Sequence, residues 1–169
     1  MIMEKFLSEV SDTNRVWIYQ ANRFLSEQET AIVKQSALQF VQNWAAHGKK
    51  LCSGADVIEN LFVVVHVDEA QAKASGCSID SSVHWITALG KDLGIDFLGR
   101  TDVAYKDAND KLNLVKLNEF EDLVNRGEID ENTQVFNNMA FSGRDLKYSW
   151  LTTVKESWHS RYLPASAVK

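Results

Sequence analysis

The residues best equipped for chemistry stand together in Ser75-Gly76-Cys77-Ser78-Ile79-Asp80-Ser81-Ser82. A thiol, hydroxyls, a carboxylate and a glycine meet there where apolar spacing begins a helix, near Ser78 or Asp80. The first turn of a helix presents unpaired N–H groups and the positive end of its dipole, which suits an anion. Gly76, Ser78, Ser81 and Ser82 are therefore candidate anion-binding residues. The same field lowers the pKa of a thiol, which makes Cys77 a candidate nucleophile. A thiol nucleophile needs a base. His66, just ahead of the loop, and His84, one turn into the helix, are the candidates. A structural reading stays open beside these: Ser78 or Asp80 caps the helix, Cys77 packs as a small apolar residue, and the histidines serve packing or surface.

Other chemistries lack their residues. A phosphate-binding P-loop needs two glycines at fixed spacing, then Lys and a hydroxyl residue. The nearest fragments, Ser53-Gly54-Ala55-Asp56 and Leu89-Gly90-Lys91-Asp92, do not supply them. No G-x-G-x-x-G occurs. Cys52 and Cys77 stand alone, and His47, His66, His84 and His159 show no zinc-ligand spacing. No metal and no cofactor are expected.

The elements that position these residues can be read from periodicity. Arg15 to Gln20 is β-branched and aromatic and reads as a strand. Ser26-Glu27-Gln28-Glu29 is a capping box. Val33, Ala37, Phe40, Val41 and Trp44 follow at helical spacing, with Gly48 as the stop. Asp56 to Val67 contains Leu61-Phe62-Val63-Val64-Val65, apolar on both alternating faces, as in a central strand covered on both sides. The helix after the Ser75 loop buries Ile79, Val83, Ile86, Leu89 and Leu93. Gly94 stops it, and Gly90 weakens its end. Thr101 to Lys106 and Leu112 to Leu117 form a hairpin. Asn118-Glu119-Phe120-Glu121 is a second capping box, with Phe120, Leu123 and Val124 inward and Gly127 as stop. Thr133 to Phe136 is a short strand. Trp150, Val154, Trp158 and Tyr162 predict a terminal helix closed by Pro164. The first dozen residues read as polar and loosely held. The order strand, helix, strand, helix, hairpin, helix, strand, helix predicts an α+β fold with a mixed β-sheet and helices packed on it.

Bulk properties set the class. The chain has 169 residues, 45% hydrophobic and 24% charged. One domain over 1–169 is expected, with 14–98 and 99–163 as sub-units if the segment Gly94 to Arg100 separates two halves. A net charge of −5 and no basic run longer than Lys49-Lys50 argue against nucleic-acid binding. No stretch approaches the ~18 apolar residues of a membrane helix, so no membrane insertion is expected. The N-terminal residues lack a cationic lead and a long apolar run. With two free thiols, this places the protein in the cytoplasm.

Two resemblances add to this reading. Asn14 to Gln20, Trp44 to Gly48, Ser75 to Ser82, Phe136-Asn137-Asn138 and Ser157-Trp158-His159 make the chain resemble a bacterial family of about this length whose function is unknown. Some of its members are labelled ABC transporter ATPase. That label implies Walker A and signature motifs, which this sequence lacks, so no ATPase activity is expected. Residues 103–158 resemble small GYF-type interaction domains, through Tyr105, Phe120 to Val124, Gly127, Ile129, Thr133, Val135-Phe136 and a trailing Trp. The Gly-Tyr-Phe element of those domains is absent, and the hairpin reads Leu112-Asn113-Leu114-Val115. The resemblance therefore does not bring proline-peptide binding with it.

These readings lead to a non-enzymatic binding or protein-interaction domain, with an unknown protein or a small anionic ligand as partner. Trp150, Trp158 and Tyr162 are candidates for a partner-binding aromatic surface. The alternative is a thiol- or anion-dependent enzyme centred on Ser75 to Ser82.

Overall fold

The chain divides into two units, one formed by residues up to 99 together with 140–146, the other by 100–139 together with 147 onward. The computed structural model describes residues 2–166. In the first unit, helix α1 (Ile2–Glu9) precedes strand β1 (Arg15–Gln20). Helix α2 (Glu27–Asn43), a small hairpin of β2 (Ala45–Ala46) and β3 (Lys49–Lys50), strands β4 (Cys52–Ile58) and β5 (Phe62–Asp68), and helix α3 (Gly76–Leu93) follow.

Strand β5 lies between β1 and β4 in an antiparallel sheet. Phe62, Val63, Val64, Val65 and Val67 are fully buried, as expected of a central strand apolar on both faces. Tyr19 and Trp17 of β1 meet α3 and the residue that ends α2. The Tyr19 hydroxyl is 2.7 Å from Ser82 Oγ, and Trp17 packs edge-on against Trp44. The opposite face carries His66, which meets Phe6 of α1. The segment 140–146 extends the β1 edge: Val16 N–H donates to the Phe141 carbonyl and Gly143 N–H to the Asn14 carbonyl.

In the second unit β6 (Asp102–Lys106), β7 (Leu112–Lys116), β8 (Gln134–Phe136) and β9 (Leu151–Thr153) form an antiparallel sheet in the order β7-β6-β8-β9. Helix α4 (Leu117–Asn125) lays Phe120, Leu123 and Val124 into a core with Val103, Ile129, Val135 and Val154. Gly127, at φ +76°, ends it as expected, since only glycine takes that backbone region without strain. Helix α5 (Gly143–Tyr148) precedes β9.

The α+β class holds, and several local expectations are corrected. The described strand pairs are all antiparallel where a mixed sheet was expected. The cause is β4. Glu59 and Asn60 both take positive φ and fold Asp56 to Val67 back into a hairpin, a turn that Glu59 does not advertise. The N-terminal residues form α1 because Met3, Phe6, Leu7 and Val10 repeat at helical spacing, and Phe6 and Val10 are buried. Gly48 does not stop α2; it sits with His47 in the β2–β3 turn, both at positive φ. The capping box at Asn118 to Glu121 does not form. The chain passes from β7 into α4 with Lys116 at the cap, and Leu117 N–H donates to the Thr101 carbonyl instead. The terminal helix is replaced by β9 and two 3-10 turns, Val154–Glu156 and Trp158–Tyr162. Thr152 and Thr153 favour an extended chain, and pairing with β8 satisfies their backbone.

Candidate functional site

Ser75 to Ser82 forms the start of α3, and its polar groups are turned to structural use. The helix begins at Gly76 with Ser75 as its cap, so Cys77 lies inside the first turn rather than ahead of it. Ser75 Oγ accepts from Ser78 N–H while Ser78 Oγ accepts from Ser75 N–H, a reciprocal cap between two serines. Ser78 is buried by this arrangement, and Ser82 is buried by its contacts with Tyr19 and the Ile79 carbonyl. Ser81 donates to the Cys77 carbonyl at 2.9 Å. A carboxylate already stands at this helix end, where Glu69 accepts from Ala74 N–H. Of the proposed anion-binding residues, Gly76 and Ser81 are exposed; Ser78 and Ser82 point their hydroxyls into the protein.

The thiol is exposed, as is that of Cys52. Neither candidate histidine is placed beside it. His66 pairs with Val16 across the sheet and Tyr19 with Val63, so His66 and Tyr19 point to opposite faces. Tyr19 reaches α3; His66 reaches α1. The sheet therefore stands between His66 and Cys77. His84 is exposed on α3, seven residues from Cys77, about 10 Å along the axis.

The aromatic surface expected near the C-terminus is also redrawn. Trp150 is 1% exposed, donates to Asn138 Oδ1 and packs against Phe136. Trp158 and Tyr162 are half-buried against the second unit's core. Tyr148, just ahead of these residues, is exposed instead, at 71%. Beside Trp158, His159 is buried and stacked on its ring; its Nδ1 lies 2.7 Å from Ser157 Oγ. Burial, with Arg161 nearby, pushes its pKa down to about 4, so the ring is neutral at neutral pH.

A site the sequence did not single out lies between α2 and α3. It is a groove of about 450 Å³. Phe40 and Trp85 form one wall, their rings stacked at 4.6 Å and 7°. Trp85 is tethered by its indole N–H to Ser36 Oγ at 3.0 Å. Trp44 also lines it, its indole N–H donating to the Ser78 carbonyl at 2.7 Å. Gln39, Asn43, Ala45 and Ser81 complete the lining, and all eight lining side chains are uncharged. The sequence signal was present. Ser36, Gln39 and Asn43 repeat at helical spacing beside the apolar stripe, a pattern that also fits an ordinary solvated flank.

Among the described residues, no group of three His, Cys, Asp or Glu converges as metal ligands would, and no helix is long and apolar enough to cross a membrane. No family model, curated protein or solved structure matches this chain.

Proposed function

We propose that this chain is a non-catalytic binding protein. Its ligand is a neutral molecule that combines an apolar ring or edge with hydrogen-bonding groups, held between α2 and α3. The observation that supports the reading is the lining: aromatic walls, amide and hydroxyl side chains, and no ionisable group, in a concave site of ligand size. Gln39 and Asn43 offer amides that both donate and accept. An anion would leave water for a site without a cation, which counts against the small anionic partner.

The thiol-enzyme alternative retains the exposed Cys77, one turn from Ser81, but neither His66 nor His84 stands beside the thiol. The test is a screen of uncharged aromatic amides and alcohols, followed by the NMR signals of the Trp85 indole N–H and the Gln39 side-chain amide. Those signals are expected to shift with saturation while signals of the second unit stay fixed. Ligands that shift only Cys77 and its neighbours, or turnover abolished by Cys77→Ser, would replace this reading with the enzyme one.

A further inference from the structure

The face of the first unit's sheet turned away from the groove holds a polar contact that neither reading uses. Asn14 is 4% exposed, and its Oδ1 is buried without a hydrogen-bond partner. Its Nδ2 lies 3.0 Å from His66 Nδ1. Buried polar atoms are rarely left unpaired, and each such atom in a native fold calls for a physical reason. The His66 ring is wedged in place: a Cβ at Gly54 would sit 2.5 Å from its Nε2, and Phe6 of α1 meets it edge-on at 5.6 Å.

The neutral ring protonated on Nε2 and the doubly protonated ring ask opposite things of Asn14. A neutral ring with its proton on Nε2 accepts from Asn14 Nδ2, which leaves Oδ1 alone. A protonated ring donates from Nδ1, so the Nδ2 group faces a second donor. Rotating the carboxamide by half a turn gives Nδ1–H an acceptor in Oδ1 and carries Nδ2 to the place Oδ1 left. We propose that Asn14 and His66 form a proton-operated latch on α1: proton uptake by the ring reverses the Asn14 amide and loosens the seat of α1 on the sheet.

The elements around the ring are α1, the segment leading into β1, and strands β1 and β4. Phe6, Asn14 and Gly54 meet the ring from these, Val16 is the strand partner of His66, and none of the four carries a charge; Glu9, at the end of α1, is the carboxylate whose charge acts on it. Burial holds the His66 pKa below the ordinary histidine value, and Glu9 opposes that in part. A depressed pKa means that the folded state favours the neutral ring. The stability this contributes is present above the unfolded value near 6.5 and is lost as pH falls through the folded value. The proton thus works against the packed arrangement, and the helix edge against the ring is the part placed to yield.

The test is an NMR titration of the full chain from pH 7.5 to 4.5, following the His66 ring nitrogens, the Asn14 side-chain amide and the α1 backbone amides. The α1 and Asn14 signals are expected to move with the same midpoint as the ring while β5 keeps its amide protection. Asn14→Asp places a permanent acceptor beside Nδ1 and is expected to raise that midpoint by a pH unit or more. A ring that titrates without moving α1, a ring still neutral at pH 4.5, or a midpoint unchanged in a folded Asn14→Asp protein would overturn the latch. The wild-type titration decides the matter alone if that variant does not fold.

Discussion

At the residue scale, the decisive finding is where side chains spend their hydrogen bonds. Ser78 and Ser82 looked like ligand groups because hydroxyls at a helix start are what an anion site needs. They are instead occupied by Ser75, Tyr19 and local carbonyls. Cys77→Ser is accordingly expected to change stability by less than about 0.5 kcal/mol, the usual range for an exposed site. Urea denaturation of the variant checks this, and a larger loss would show that the thiol packs. His159 gives a sharper expectation. Its folded pKa of about 4 lies below the unfolded value, so the neutral ring stabilises the protein above about pH 6.5. That contribution declines as pH falls and is gone below about pH 4, a loss on the order of 3 kcal/mol. His159→Phe should flatten the pH dependence of unfolding between those limits. An unchanged slope would mean that His159 is protonated in the fold.

At the element scale, the readable features were those set by local chemistry. The Ser26 capping box forms with both bonds, and Arg23 grips Glu29 with two nitrogens at 2.8 Å. That grip, with the Ser26 N–H, holds the Glu29 pKa down to about 2. Ser26→Ala should cost about 1 kcal/mol. Gly94 ends α3 in the left-handed region as expected. What escaped the sequence was set by partners distant in the chain. The most buried line of α3 is Ser78, Ser82, Ile86 and Gly90, not the aliphatic stripe, because small residues let Tyr19 and the Ile95 backbone approach. Gly90→Ala separates the two views. Helix propensity alone makes alanine better by about 1 kcal/mol. In the fold its Cβ would run into the Ile95 carbonyl, so net destabilisation is expected, of about 1–3 kcal/mol. A raised melting temperature would refute the packing.

At the scale of the whole molecule, composition gave the class and left the tracing open. Apolar content and element order were enough for α+β. Nothing in composition marks that 140–146 belongs with β1 in the first unit, since its bonds to Asp12, Asn14 and Val16 are main-chain bonds that any sequence could make. Gly143 does record the approach, because a side chain there would collide with the Ser11 carbonyl. Gly143→Ala is therefore expected to destabilise the first unit by more than about 2 kcal/mol, read by amide exchange in β1. Unchanged protection would show that the segment does not lie against β1. The groove was hidden for a related reason. Phe40 and Trp44 fit a buried stripe, and only the packing of α2 on α3 leaves Phe40 and Trp85 at the wall of an opening. The most direct test is to fill that opening. The dissociation constant of the tightest uncharged aromatic amide from the screen would be measured for the wild type and for Ser81→Trp. At least tenfold weaker binding is expected, with an unchanged melting temperature; equal affinity in a folded variant would contradict a ligand site between α2 and α3.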